Sequence, residues 1–332
     1  MRSRESELVS EHRTIPNVGG SSPGPAGGSA PDPIISSKGL GKDFGRVRAL
    51  MDVDLSVGGG VTGLIGANGA GKTTLIRILL GLTRPTSGEV SVFGVPVSED
   101  PAGLRARIGY MPENKCLPLD QTAADFVSYA AELAGIPSAE ARRRASETLF
   151  LVGLHEERFR YLGDFSTGMQ QRVKLAQSIV HDPELVLLDE PASGLDPTGR
   201  ERMLRLIARF REFGISVLFS SHLLDDIERT CDWVLMLHEG RLIHSAPLDP
   251  PTEGSQVSVE VFGDPRPLID DLVSRGVSPA VEGPVITVEG LDTDVFVLVR
   301  DALASSGSSV RRMGTGLSRL EDVLESATRG PA

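Results

Sequence analysis

The chain has 332 residues, of which 40% are hydrophobic, and a formal net charge of −11. That length suits two modest domains with a full apolar core, and the acidic balance argues against a nucleic-acid-binding surface, so no nucleic-acid partner is expected. No apolar run approaches the ~20 residues that span a bilayer, the N-terminus lacks an apolar signal segment, and two cysteines far apart in sequence, Cys116 and Cys231, fit a reducing compartment.

Residues 1–33 are rich in Ser, Gly, Pro and charge, with Gly19-Gly20-Ser21-Ser22-Pro23-Gly24-Pro25 at the centre. Such a segment buries too little apolar surface to offset its ordering entropy, and it reads as a disordered tail. Strands and turns are expected from Ile34 to about Val61. Phe44 has two readings. A lone Phe after a strand is usually core. One that shortly precedes a phosphate-binding loop is a candidate to stack on adenine through its flat π-face.

Such a loop follows. Gly66-Ala67-Asn68-Gly69-Ala70-Gly71-Lys72-Thr73-Thr74 has the form G-x-x-x-x-G-K-[ST]. Val61-Thr62-Gly63-Leu64-Ile65 before it reads as a buried strand, and Leu75–Leu80 after it reads as the first turns of a helix. The glycines let the backbone bend round a phosphate. The free N–H groups and the helix N-terminus then favour the anion. Lys72 would reach the β- and γ-phosphates, and the Thr73 hydroxyl would sit on Mg²⁺.

Thr86–Gly94 reads as a turn and a strand, and Ile108-Gly109-Tyr110-Met111-Pro112-Glu113 as a short strand ending in a loop. Residues 121–160 look helical, in stretches such as Ala123–Ala134 and Ala139–Val152. Phe165-Ser166-Thr167-Gly168-Met169-Gln170-Gln171-Arg172 opens a further helix, with Ser166 and Thr167 as good N-terminal residues.

Leu185-Val186-Leu187-Leu188-Asp189-Glu190 is a buried strand with two acids at its carboxyl edge, where ligands of parallel α/β sheets gather. Two acids on an apolar strand are costly unless they meet a cation or do chemistry. Asp189 is placed to hold Mg²⁺ and Glu190 to polarise an attacking water. Ala192–Pro197 is a turn into a helix at Arg200–Phe213. Ile215–Ser221 is another strand, ending at His222, a candidate sensor of the γ-phosphate. Leu223–Cys231 reads as a helix and Trp233–Ile243 as a hairpin, with the single Trp in the core.

Residues 247–255 form a linker rich in Pro and acid. Beyond it the order is strand (Val257–Val261), helix (Pro267–Arg275), two strands (Ser278–Val281 and Pro284–Val288), helix (Asp294–Ser305) and strand (Ser309–Met313). That βαββαβ order suggests a small ferredoxin-like sandwich in 256–332. Ser318–Glu325 closes the chain as a helix. No ligand-type residues cluster in this module, which favours a structural or dimer-stabilising cap over a ligand sensor.

An aromatic, a phosphate loop, Y-x-P-E, S-x-G-x-Q, L-L-D-E, G-L-D-P and S-S-H thus follow one another across residues 34–246. In that series the chain resembles the ATP-binding subunit of ABC transporters, and its F-S-T-G-M-Q-Q-R form resembles exporter-type members that serve a separate permease. C-terminal modules ending in the L-E-D-V style of Leu320–Val323 occur on such members. The resemblance implies an α/β fold: a P-loop nucleotide hydrolase core, an antiparallel β subdomain, and a helical subdomain at about 115–180. It implies a head-to-tail dimer, homo- or heteromeric, with two ATP molecules between its subunits. Gly66, Ala67, Asn68, Gly69, Ala70, Gly71, Lys72, Thr73 and Thr74 would surround the phosphates, with Phe44 against adenine. Ser166 and Gly168 would meet the nucleotide of the opposite subunit. Glu190 would be the catalytic base, with His222 on the γ-phosphate. Thr73, Asp189 and Glu113 would serve Mg²⁺, and Asp196 would communicate across the dimer. A multi-span membrane permease is the implied partner, which would place the chain on the cytoplasmic membrane face. The alternative is a soluble ABC-type ATPase not coupled to transport. Two departures stand out. Glu113 replaces the usual Gln, and Thr167 and Met169 replace Gly and Gln of the commoner signature.

Overall fold

The computed structural model describes residues 33–114, 116–248, 255–283, 285–290 and 293–315. Nearly all of the expected tail, most of the linker and the closing helix at Ser318–Glu325 lie outside these residues.

The chain begins with an antiparallel hairpin, β1 (Ile35–Phe44) and β2 (Val47–Val57), followed by β3 (Val61–Ile65) and α1 (Lys72–Leu79). Next come β4 (Ser87–Val92), β5 (Val95–Pro96), α2 (Pro101–Arg107) and β6 (Ile108–Met111). Three helices follow: α3 (Ala123–Leu133), α4 (Ser138–Leu151) and α5 (Thr167–Ile179). The chain then runs through β7 (Leu185–Leu188), α6 (Pro197–Arg209), β8 (Ser216–Ser221), α7 (Leu224–Thr230), β9 (Trp233–His238) and β10 (Arg241–Pro247).

The central sheet has the order β10-β9-β3-β8-β7-β6, and every pair in it is parallel except β10 with β9. Its strands read as apolar runs because both faces are covered. Alternation along each strand sorts the side chains. Leu64, Leu187, Leu218 and Leu235 pack with Leu75, Ile76 and Leu79 of α1 and with Leu40 and Leu50 of the hairpin. Ile65, Val186, Leu188, Phe219 and Met236 pack on the other face with Val173, Ile207 and Ile227 of α5, α6 and α7. A second, antiparallel sheet of order β2-β1-β4-β5 forms the β subdomain.

The helices start where their caps permit. Asp100 accepts from Gly103 N at 2.8 Å with Pro101 as first helical residue, Thr122 accepts from Asp125 N at 3.1 Å, and Ser166 accepts from Met169 N at 3.3 Å. The Asp-Pro pair is the signal for α2, an element not anticipated above. The helix expected at Arg200 begins earlier, at Pro197, and its last turn, Phe210–Phe213, is a 3₁₀ helix. Trp233 is half-buried at the sheet's margin, not core, and its indole N–H donates to Ser245 Oγ at 3.0 Å.

The C-terminal module contains β11 (Ser255–Phe262), α8 (Arg266–Ser274), β12 (Ala280–Glu282), β13 (Val285–Gly290), α9 (Thr293–Ser306) and β14 (Ser309–Thr315). Its sheet order is β12-β13-β11-β14, antiparallel throughout, which is the ferredoxin-like arrangement. Val257, Val259 and Val261 join Leu268, Leu272 and Val299 in its own core.

Candidate functional site

Parallel pairing decides what meets at the carboxyl edge of the central sheet. Met111 lies beside Leu188, Leu188 beside Phe219, and Ile65 beside Ser221. The residues just beyond these ends therefore leave the sheet from one edge. They are the Glu113 loop, Asp189-Glu190, His222 and the phosphate loop.

The loop has the backbone its function demands. Gly71 caps α1 in the left-handed region at φ 108°, and a Cβ there would fall 2.6 Å from Ala49 O. At Gly66 a Cβ would fall 2.4 Å from Leu237 O. Ala67, Asn68 and Gly69 are exposed, Thr73 and Thr74 half-buried, and Ala70 packs in the core. The N–H groups that open α1 have no partner within the helix, so this end attracts an anion.

Lys72 is 6% exposed, and its amine donates to Gly66 O at 2.6 Å. It also lies 3.2 Å from Glu190 Oε1. That oxygen is buried and lacks a well-aligned donor, so the contact is an ion pair rather than a directed hydrogen bond. The other carboxylate oxygen, Oε2, is 2.9 Å from His222 Nδ1, and the His222 side chain is 48% exposed. One carboxylate oxygen of Glu190 thus faces the Lys72 amine and the other the His222 ring.

Glu190 sits at φ 50°, a conformation that costs about 1–3 kcal/mol for a residue with a side chain. A fully buried serine holds it there. Ser220 Oγ accepts from Glu190 N at 2.8 Å and donates to Asp189 Oδ1 at 2.8 Å. Asp189 is itself 1% exposed, and its N–H donates to Met111 O at 2.9 Å. Ser220 lies in the S-S-H run, but no role was read for it, because a serine in an apolar strand carries no chemical signal of its own.

Glu113 is exposed, and the group tied down is its backbone carbonyl. The buried Lys174 amine on α5 donates to the carbonyls of Pro112 (2.6 Å), Glu113 (3.1 Å) and Asn114 (3.3 Å). Three donors thus meet three acceptors. Burial still pushes the Lys174 amine below its ordinary pKa, while the nearby charges of Cys116, Glu113 and Asp189 act in the opposite direction. Lys174 was likewise missed, since one Lys on a helix face reads as solvated.

Ser166, Gly168 and Asp196 stand apart from this cluster. Ser166 is exposed and caps α5. The start of α5 lies against the Ser193–Leu195 turn: Gln171 Nε2 donates to Ser193 O at 3.3 Å, and a Cβ on Gly168 would lie 3.7 Å from Leu195. Thr167 and Asp196 are exposed there. Phe44 is 52% exposed at the tip of the β1–β2 hairpin, with the Lys42 amine 4.9 Å from its ring centre. That placement removes the core reading of Phe44 and leaves a ring face free to stack.

The oxygens of Thr73, Asp189 and Glu113 are hard donors of the kind Mg²⁺ takes. Among the described residues, no group of three or more His, Cys, Asp or Glu could hold a metal by itself.

A strand–glycine loop–helix at this sheet edge, facing Asp189, Glu190 and His222, defines a P-loop nucleotide-binding domain. The family profile described as ABC transporter matches residues 50–193. An uncharacterized ABC transporter ATP-binding protein of Nostoc is 41% identical over 221 residues, which span 66% of this chain and 65% of that protein. The bacitracin transport ATP-binding protein BcrA of Bacillus licheniformis is 39% identical over 65% of this chain and 70% of its own length. The methionine import ATP-binding protein MetN 2 of Burkholderia mallei is 36% identical over 78% of this chain and 66% of its own length. Among solved structures, a dimeric ATP-binding cassette bound to ADP and Pi aligns with a TM-score of 0.59 at 26% identity, covering 65% of this chain and 99% of its own. The chain belongs to the ABC transporter ATP-binding proteins.

Proposed function

We propose that the chain hydrolyses ATP to ADP and phosphate and so energises export through a separate multi-span membrane permease. It works as a dimer on the cytoplasmic face of the membrane. The observation that carries the catalytic part is the contact chain from the Lys72 amine through Glu190 to His222, with separations of 3.2 and 2.9 Å.

Gly66–Thr74 cradle the triphosphate with backbone N–H groups, and Lys72 turns from Gly66 O to the β- and γ-phosphates. Phe44 stacks on adenine. Mg²⁺, when bound, neutralises phosphate charge and is held by Thr73, Asp189 and Glu113. Glu190 accepts a proton from the attacking water, whose oxygen bonds to the γ-phosphorus as the bond to the ADP oxygen breaks. His222 contacts the γ-phosphate and orients Glu190 through Oε2. Ser166 and Gly168 complete the site of the other subunit, and the exposed Asp196 reports across the interface.

The permease reading has structural support in exposed apolar side chains. Tyr129, Leu133, Phe150, Phe159 and Tyr161 are all exposed on α3, α4 or the segment that follows them. Where such side chains adjoin, they make a surface for a protein partner. No helix among the described residues is long and apolar enough to cross a membrane. Export rather than import rests on the F-S-T-G-M-Q-Q-R form of the signature.

A mild-detergent pull-down from native membranes tests this reading. Stoichiometric recovery of a multi-span membrane protein is expected. Recovery alone, or with ribosomes or DNA, would favour a soluble ABC-type ATPase instead.

A further inference from the structure

Of the side chains at the site's edge, Ser220, first residue of the S-S-H run, has a geometry that no role above uses. It is fully buried in β8. Strand β7 stops pairing with β8 at Leu188, opposite Phe219, while β8 goes on pairing with β3 through Ser220–Leu64 and Ser221–Ile65. Ser220 is therefore anchored on one side by a parallel ladder, while β7 has already turned away on the other. Where the next ladder bond would fall, Glu190 N–H instead meets the Ser220 hydroxyl at 2.8 Å.

A hydroxyl has one proton to give, and an ionised carboxylate can only accept. The proton of Ser220 is thus committed to Asp189 Oδ1 at 2.8 Å, and its lone pair faces the Glu190 amide. One oxygen atom fixes the carboxylate of Asp189 and the backbone of Glu190 together. Without that bond the left-handed backbone of Glu190 has less to hold it. A relaxed Glu190 would carry its carboxylate away from Lys72 and His222.

We propose that Ser220 is a positioning residue for hydrolysis, setting Asp189 and Glu190 in register with each other. The assignment rests on the reading of Glu190 as the base. It calls for no contact between Ser220 and nucleotide.

The test compares Ser220→Ala and Ser220→Cys with the unaltered full-length protein in steady-state ATPase assays and fluorescent-nucleotide binding. Removing a hydrogen bond that orients a working carboxylate typically costs about 10–100-fold in activity. Ser220→Ala is expected to lower kcat by at least about 10-fold while nucleotide affinity and KM stay within about twofold. Ser220→Cys, near in size with a weaker donor, is expected to fall between. A double variant with Glu190→Gln is expected to be no slower than Glu190→Gln alone, since both act through one group. Equal kcat in Ser220→Ala, parallel losses of affinity and kcat, or an additive double variant would overturn the assignment. A wild-type protein that binds ATP without turning it over would overturn the reading beneath it as well. Should Ser220→Ala fail to fold, the cysteine variant and its double with Glu190→Gln decide the matter by the same criteria.

Discussion

The Lys72 ammonium lies 3.2 Å from Glu190 Oε1, although the whole helical subdomain separates the two residues in the chain. The sheet order brings them together, with β3 and β7 flanking β8. The Lys72 ammonium, proposed to bind phosphate, and the Glu190 carboxylate, proposed as the base, therefore face each other in a buried pair.

Breaking that pair from the lysine side has a clear expected outcome. Lys72→Met removes the donor to phosphate and leaves Glu190 buried without its cation. Hydrogen bonds to charged groups contribute about 1.5–3 kcal/mol, so ATP affinity should fall by about 10-fold or more. Titration with a fluorescent nucleotide measures this. Unchanged affinity would place the phosphates elsewhere.

Two loop glycines should separate strain from collision. Gly69 and Gly71 both have positive φ, at 86° and 108°, but only Gly71 has an obstacle, Ala49 O at 2.6 Å from its would-be Cβ. Gly69→Ala adds backbone strain of about 1–3 kcal/mol. Gly71→Ala adds a clash with main chain, so its melting temperature and its ATP binding should both fall further than those of Gly69→Ala.

Lys174 is a buried charge held by carbonyls alone among its hydrogen-bond partners given above. Lys174→Met should leave those carbonyls unsatisfied and destabilise the protein by about 1–3 kcal/mol. Urea unfolding reads the change, and a variant as stable as wild type would mean that the Pro112–Asn114 loop relaxes into water.

The Arg107–Glu184 pair tests the acid limb of stability. Arg107 donates to both oxygens of Glu184, at 2.6 and 2.8 Å, and this hydrogen bonding holds the Glu184 carboxyl below its ordinary pKa of 4.5. A depressed carboxyl contributes stability that is present above its unfolded pKa and lost as pH falls through the folded one. Glu184→Gln should therefore flatten the fall of melting temperature below pH 4.5, leaving a smaller difference from wild type in acid than at neutral pH. The pair is largely solvent-exposed, so the effect is modest and weakens in salt.

Much of this arrangement was legible in the residues. The groups proposed for catalysis stand at parallel strand ends and come with local signatures: a glycine loop before Lys72, paired acids after Leu188, a histidine after β8. The chain order of the C-terminal module also predicted its sheet. What escaped was chemistry that exists only in three dimensions. Ser220 looks like any strand serine until β7 turns away beside it, and Lys174 looks solvated until α5 packs over the Glu113 loop. Phe44 shows the reverse case. Its usual fate is the core, and only the position of the hairpin tip leaves its ring exposed.

The most direct measurement is single-turnover hydrolysis by Glu190→Gln beside wild type, with ATP affinity measured in parallel. Loss of a general base typically costs about 10²–10⁴-fold. Affinity within about threefold of wild type, with hydrolysis slowed by at least about 100-fold, is the outcome expected if Glu190 activates the water. ATP binding with an unchanged rate of hydrolysis would contradict it.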